Sequence, residues 1–133
     1  FIVPDLPFDE SGDLQRALEA EGIALVQMVT PVTEAARLAS VCGASQGFVY
    51  AVTMTGTTGK TVAVPADVLS YLDRVRAASS LPVCAGFGIR QREHVERLKG
   101  HVDGVVVGSA LVEVLERGED PKAFLGALRI GAR

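Results

Sequence analysis

Short apolar runs alternate along the chain with segments that have helical periodicity. Runs rich in Val, Ile and Ala predict five strands, at residues 1–3, 23–29, 47–52, 82–85 and 104–107. These runs are continuously apolar and do not alternate with polar positions. Such runs are typical of a parallel sheet that is covered by helices, so the pattern predicts an α/β fold.

Helical segments follow each of these strands. The first has an apolar stripe from Leu14 to Leu18 and stops at Gly22, which can adopt a left-handed conformation. The others are predicted at residues 34–42 with Thr33 as the cap, at 65–78, in a segment through Val95 that ends at Gly100, at 108–117, and at 121–128 after the cap Asp120. Short links of this kind fit a barrel and a doubly wound sheet equally well.

Length and composition narrow the class of protein. The 133 residues suffice for one domain, whereas a complete eightfold barrel needs roughly 250. Apolar residues make up 48% and charged residues 22%, a balance that excludes a disordered chain. The net charge of -3 without a basic run argues against a nucleic-acid partner.

No apolar stretch is long enough to span a bilayer, and no charged-then-apolar leader opens the sequence. We therefore expect a soluble, cytoplasmic protein that does not act at a membrane. Phe1 opens the chain inside an apolar run, as expected for a chain that begins in the middle of a structure.

The ends of the last two predicted strands are rich in glycine. In Gly86-Phe87-Gly88-Ile89, two positions without a Cβ atom let backbone N–H groups approach an anion. Gly108 and Ser109 place N–H groups and a hydroxyl at the start of a short helix, whose dipole favours negative charge. A tight turn explains either motif alone. Together, on consecutive strand ends, they predict a phosphate site, which is a recurrent arrangement in barrels.

A long loop rich in hydroxyl groups follows the third predicted strand, at residues 53–64. Its composition is typical of a lid that closes over a ligand, and the alternative is a mobile loop without a role. Residues 56–61 do not form a P-loop. That motif needs four residues between its glycines, and only two separate Gly56 from Gly59.

Tyr50 and Asp5 are further candidates for chemistry. Tyr50 lies near the carboxyl end of its strand, where its ring either faces a planar substrate or packs in the core. Asp5 follows the first strand between two prolines, and such a carboxylate acts as an acid or base or orders a turn or an interface.

The cysteines and histidines are assigned no chemistry. Cys42 and Cys84 are far apart without a CxxC pair or nearby His ligands, so we expect buried, reduced thiols and no metal site. His94 and His101 fall away from the predicted strand ends.

Several segments, in this order and spacing, closely resemble the tryptophan synthase α chain family over nearly all of residues 1–128. They are Pro4-Asp5-Leu6-Pro7-Phe8, Gly47-Phe48-Val49-Tyr50, Thr55-Gly56-Thr57-Thr58-Gly59, Gly86-Phe87-Gly88-Ile89 and Gly108-Ser109-Ala110. The resemblance implies a TIM (β/α)8 barrel of which this chain supplies the last five βα units, as a single domain.

The resemblance also implies an activity. Members of this family are carbon-carbon lyases of tryptophan biosynthesis. They cleave indole-3-glycerol phosphate to indole and glyceraldehyde 3-phosphate by a retro-aldol route, without a cofactor of their own. They pass indole to a β subunit that holds pyridoxal phosphate, in an α2β2 complex.

The resemblance further implies roles for individual residues. Those implied to hold the phosphate are Gly59, Gly88, Gly108 and Ser109. Those implied to lie in or beside the substrate pocket are Tyr50, Thr58 of the lid, and Phe87. Asp5 is implied to face the β subunit.

Two essential carboxylates of the family belong to earlier strands and have no counterpart in this sequence. We therefore expect no catalytic residue within this chain, which would provide the phosphate clamp and the lid. A non-catalytic half-barrel that binds phosphate esters or a β-type partner is the alternative. Another phosphate-binding barrel enzyme is a third possibility. The unpaired edges of a partial barrel predict dimerisation or aggregation.

Overall fold

The computed structural model describes residues 1–53, 64–86 and 88–131. A 3-10 turn at Phe8–Glu10 comes first. The elements that follow are α1 (Gly12–Ala20), β1 (Gln27–Val29), α2 (Ala35–Ala44), β2 (Val49–Val52), α3 (Ala66–Ala78), β3 (Val83–Gly86), α4 (Arg92–Leu98), β4 (Gly104–Val106), α5 (Ser109–Glu116) and α6 (Pro121–Leu128). No helix within these described residues has the length and apolarity to cross a membrane.

The four strands form one parallel sheet whose spatial order, β1-β2-β3-β4, is also the chain order. The register places Tyr50 between Met28 and Cys84, and Cys84 beside Gly104. A doubly wound sheet reverses its strand order at a switch point, and these strands do not. The order therefore favours the barrel over the doubly wound alternative.

Residues 1–3 were predicted to be a strand, and this prediction is wrong because the segment pairs at only one residue. Ile2 makes a single parallel bridge with Val26, and the Val26 N–H donates to the Phe1 carbonyl at 2.9 Å. Pro4 has no N–H to extend the pairing, and a turn closed by the Leu6 N–H to the Val3 carbonyl at 3.2 Å ends it. The segment lies beside β1, as predicted, but it is too short to be a strand.

β1 is likewise shorter than the predicted run of residues 23–29. The Ile23 N–H donates to the Leu18 carbonyl at 2.9 Å, and the Leu25 N–H donates to the Gln46 side chain at 2.8 Å. These amides are used by α1 and by the link after α2, so the ladder begins only at Gln27.

Two of the predicted helix signals are confirmed and one is wrong. Gly22 has φ +70°, and the Asp120 carboxylate accepts a bond from the Lys122 N–H at 2.9 Å. Thr33 does not cap α2, because its hydroxyl accepts a bond from the Thr30 N–H at 3.0 Å within the preceding turn.

The core lies between one face of the sheet and the helices α2 and α3. Val29, Ala51 and Ala85 on that face are fully buried. α3 contributes four buried side chains at the i, i+3, i+4 and i+7 positions of one helix face: Val68, Tyr71, Leu72 and Val75. Successive strand residues point to opposite faces, so Met28, Tyr50 and Cys84 lie on the other face, where they are only partly buried. Cys84 is thus more exposed than expected, whereas Cys42 is buried as predicted.

Tyr50 and Gly86 make a close contact on this second face. A Cβ atom on Gly86 would overlap both the Tyr50 hydroxyl oxygen and the ring carbon that carries it. The phenol ring therefore leans along the sheet and occupies the space that a side chain at residue 86 would need.

Replacing Tyr71 by Phe tests how α3 is fixed to the sheet. The buried Tyr71 hydroxyl donates to the Val29 carbonyl at 2.8 Å. Its loss leaves that carbonyl without this donor, so we expect Tyr71→Phe to lower the free energy of unfolding by about 1–3 kcal/mol in urea denaturation. Ser70→Ala, at an exposed position of the same helix, is the control, and equal values for the two variants would contradict this role.

A double-mutant cycle tests the contact between Tyr50 and Gly86. Gly86→Ala should destabilise the protein by about 1–3 kcal/mol, because the added methyl group overlaps the phenol ring. In a Tyr50→Ala background, where the ring is gone, the same change should cost less than about 0.5 kcal/mol. A cost that is equal in both backgrounds would show that the ring does not set the requirement for glycine.

Candidate functional site

The carboxyl ends of β2, β3 and β4 lie level with one another. Val52 pairs with Gly86, and Gly86 pairs with Val106. The turns that follow these strands therefore start at the same edge of the sheet. This edge brings together the predicted phosphate residues Gly88, Gly108 and Ser109, as expected for ligand sites in α/β folds.

Gly88 occupies an exposed turn directly after β3. Its φ of +76° lies in the left-handed region, which glycine adopts without the penalty of a Cβ atom. Ile89, the next residue, is only 6% exposed and anchors the turn in the core. Glycine at position 88 is thus required by backbone conformation, whatever the turn binds.

Gly108 and Ser109 open α5 at the neighbouring strand end, and both are exposed. The Gly108 carbonyl accepts bonds from the Leu111 and Val112 N–H groups at 2.9 and 3.1 Å, so the helix begins here. The first N–H groups of a helix have no intrahelical acceptor and carry its positive dipole end. A Cβ atom on Gly108 would meet no heavy atom within 4 Å, so the space beside this residue is open.

Both glycines of this turn were predicted to allow the close approach of an anion, and for Gly86 this prediction is wrong. The contact with Tyr50 shows that glycine is needed at residue 86 because the phenol ring fills the space. Of the two glycines, Gly88 is exposed and Gly86 is buried.

Thr53 also lies at this edge, although it was not predicted to belong to the site. Its backbone N–H and its hydroxyl both donate to the Gly86 carbonyl, at 2.9 and 3.1 Å. Thr53 is buried, so these bonds fix the start of the predicted lid to the start of the glycine turn. The feature of the sequence that indicates this role is the position of Thr53, directly after a predicted strand and at the start of the hydroxyl-rich loop.

The pKa values of the groups on this face favour neutral forms. Burial raises the pKa of Tyr50, so its hydroxyl stays protonated at neutral pH. Burial and the nearby Asp103 carboxylate both raise the pKa of Cys84, which therefore stays a thiol and is a poor nucleophile. These two side chains suit substrate contact better than nucleophilic or general-base chemistry.

The remaining predicted site residues are placed differently. Asp5 lies in an exposed turn after the segment that pairs with Val26 before β1, and β1 is the strand farthest from β4 and Gly108 in the order of the described sheet. Three predicted residues, Thr58, Gly59 and Phe87, lie outside the described part of the chain, as does most of the predicted lid. Within the described part, no group of three or more His, Cys, Asp or Glu side chains is arranged to hold a metal ion.

Known proteins resemble this chain in sequence. The family model described as tryptophan synthase alpha chain matches residues 1–129. The tryptophan synthase alpha chain of Carboxydothermus hydrogenoformans is 43% identical over 115 residues, which cover 86% of this chain and 43% of that protein. The Bacillus cereus protein of the same name is 44% identical, with 86% and 45% covered. The chain thus spans less than half the length of these relatives.

Solved structures resemble it as well. A structure of the tryptophan synthase α2β2 complex from Pyrococcus furiosus superimposes with a TM-score of 0.84 at 35% identity, covering 96% of this chain and 54% of that one. Mycobacterium tuberculosis tryptophan synthase gives 0.83 at 37% identity, with 98% and 51% covered. The described sheet is part of a TIM barrel, as predicted from the family resemblance. On these matches, and with the glycine turns in place at one sheet edge, the chain belongs to the tryptophan synthase α chain family.

Proposed function

We propose that this chain provides the phosphate clamp and the lid of an enzyme that cleaves indole-3-glycerol phosphate to indole and glyceraldehyde 3-phosphate, in tryptophan biosynthesis. The observation that carries the proposal is the alignment of two glycine turns, at Gly88 and at Gly108 with Ser109, on adjacent strand ends of a barrel sheet. Membership of the family supplies the substrate.

The clamp would bind the phosphate through backbone groups. Three sets of hydrogen-bond donors suit a phosphate dianion. They are the N–H groups at the start of α5, the Ser109 hydroxyl and the backbone N–H groups of the turn at Gly88. Gly59 would complete the clamp from the lid, and Phe87 would lie beside the phosphate. Because backbone donors are held by the fold, they need little reorganisation when the ligand binds.

The indole end of the substrate would lie nearer β2. Tyr50 presents a neutral phenol on the partly buried face of the sheet, a suitable neighbour for a planar ring. Thr58 would close onto the site with the lid. The acid and base that transfer protons during the retro-aldol step would come from carboxylates outside this chain.

The proposal extends to partners and location. Asp5, in its exposed turn, would face a β subunit in an α2β2 complex. This chain would need no cofactor, and pyridoxal phosphate would belong to the β subunit alone. The setting would be the cytoplasm, as for a biosynthetic enzyme.

A second candidate function is binding without turnover. Its support is that the Tyr50 and Cys84 side chains on this face stay protonated, so neither suits nucleophilic or general-base chemistry. In that case the same edge would bind phosphate esters, or the chain would dock on a β-type partner.

Complementation in trans separates the two candidates. The chain would be mixed with the first three βα units of the Carboxydothermus relative, and indole release from indole-3-glycerol phosphate would be measured. We expect indole only when both pieces are present. If the chain binds glycerol 3-phosphate but no indole is released, the second candidate is favoured. If there is neither binding nor indole release, both candidates are contradicted.

Gly108→Val tests the clamp directly. A branched side chain would fill the open space beside the first N–H groups of α5, so we expect affinity for glycerol 3-phosphate to fall at least about tenfold in calorimetric titration. The melting temperature should change little, because nothing lies within 4 Å of the new Cβ atom. Gly88→Val is a poorer test, since φ +76° would strain valine in the free protein. Unchanged affinity in Gly108→Val would contradict the clamp.

A further inference from the structure

The two glycine turns are joined by an ion pair that the proposed function does not yet use. Arg90 lies two residues after Gly88, and Glu113 lies on α5, four residues after Ser109. The two terminal nitrogens of Arg90 donate to the two carboxylate oxygens of Glu113 at 2.6 and 2.7 Å. This bidentate geometry fixes orientation as well as distance, because a planar guanidinium meets a planar carboxylate.

The backbone of Arg90 is held too. Its N–H donates to Nδ1 of His94, in the first turn of α4, at 3.2 Å. The preceding Ile89 is buried. The turn after β3 is therefore fixed to α4 by its backbone and to α5 by the Arg90 side chain.

The energetics argue against a role in overall stability. The Arg90 and Glu113 side chains are 51% and 39% exposed, and pairs this exposed contribute little to folding. What the pair does fix is the position of one βα turn relative to the next helix, a contact between residues 23 apart in sequence.

Charge gives a second reason for the pair. Residues four apart on a helix share a face, so Glu113 lies one turn beyond Ser109 on the same side of α5. An unpaired carboxylate there would repel a phosphate dianion bound at the start of the helix. The hydrogen bonds from Arg90 lower the pKa of Glu113, so the carboxylate is ionised and neutralised by its partner.

We propose that the Arg90–Glu113 pair is a positioning device for the phosphate site, which holds the Gly88 turn and the start of α5 at the spacing needed for both to bind one phosphate monoester. This inference rests on the proposed function. Arg90 and Glu113 are positioning residues here, and neither touches the ligand.

The competing role for Arg90 is direct contact with the phosphate. In that case Glu113 would compete for the guanidinium, and its removal would strengthen binding. The positioning role predicts the opposite sign, because the loss of either partner releases the turn from α5.

The test measures the affinity of the protein for glycerol 3-phosphate by calorimetry, with the melting temperature of each variant recorded beside it. Arg90→Gln and Glu113→Gln should each weaken binding by about threefold to tenfold at nearly constant melting temperature. Arg90→Lys should behave like Arg90→Gln, because lysine keeps the charge but cannot make the bidentate contact. The charge-swapped double variant Arg90→Glu/Glu113→Arg should recover affinity to within about twofold of the parent.

Arg92→Gln is the matched control. It breaks another exposed ion pair, Arg92 with Glu96, that lies within α4 and joins no two elements. Tighter binding by Glu113→Gln would overturn the positioning role in favour of direct contact, and single variants that match Arg92→Gln would overturn it altogether. If the parent protein does not bind glycerol 3-phosphate, the proposed function fails and this inference fails with it.

Discussion

Parallel pairing of β3 with both of its neighbours is the constraint on which the rest depends. It sets Val52, Gly86 and Val106 level, so that the following turns open on one edge. Thr53 reinforces this alignment with two hydrogen bonds to the Gly86 carbonyl. A one-residue slip would reverse the faces of the strand and would bring Tyr50 away from the glycine that accommodates it.

Most of the fold was predictable because its signals are local. The order of strands and helices follows from apolar runs and helical spacing, and Gly22 and Asp120 act where their conformational and capping preferences predict. Residues 1–3 failed as a strand because the extent of pairing depends on which neighbouring amides are free, and no local pattern records that. The periodicity of the sequence also did not distinguish a barrel from a doubly wound sheet. The order of the strands in the sheet favours the barrel.

The site was predictable only in part, for the same reason. Glycine motifs located both turns, but a motif does not say why a glycine is needed. Gly86 accommodates the Tyr50 ring, and that contact joins residues from different strands. The Arg90–Glu113 pair likewise joins the turn after β3 to α5, residues 23 apart in the chain, and no local pattern predicts it. The anion-binding role of Gly88 and Gly108 with Ser109 remains a prediction.

The most direct measurement is an NMR titration of the nitrogen-15-labelled protein with glycerol 3-phosphate, following each backbone amide. We expect the largest shifts to cluster at Gly88, Gly108, Ser109 and Ala110, on two turns at one sheet edge. Shifts centred elsewhere, or none at these four amides at saturating ligand, would contradict the claim that this edge binds a phosphate.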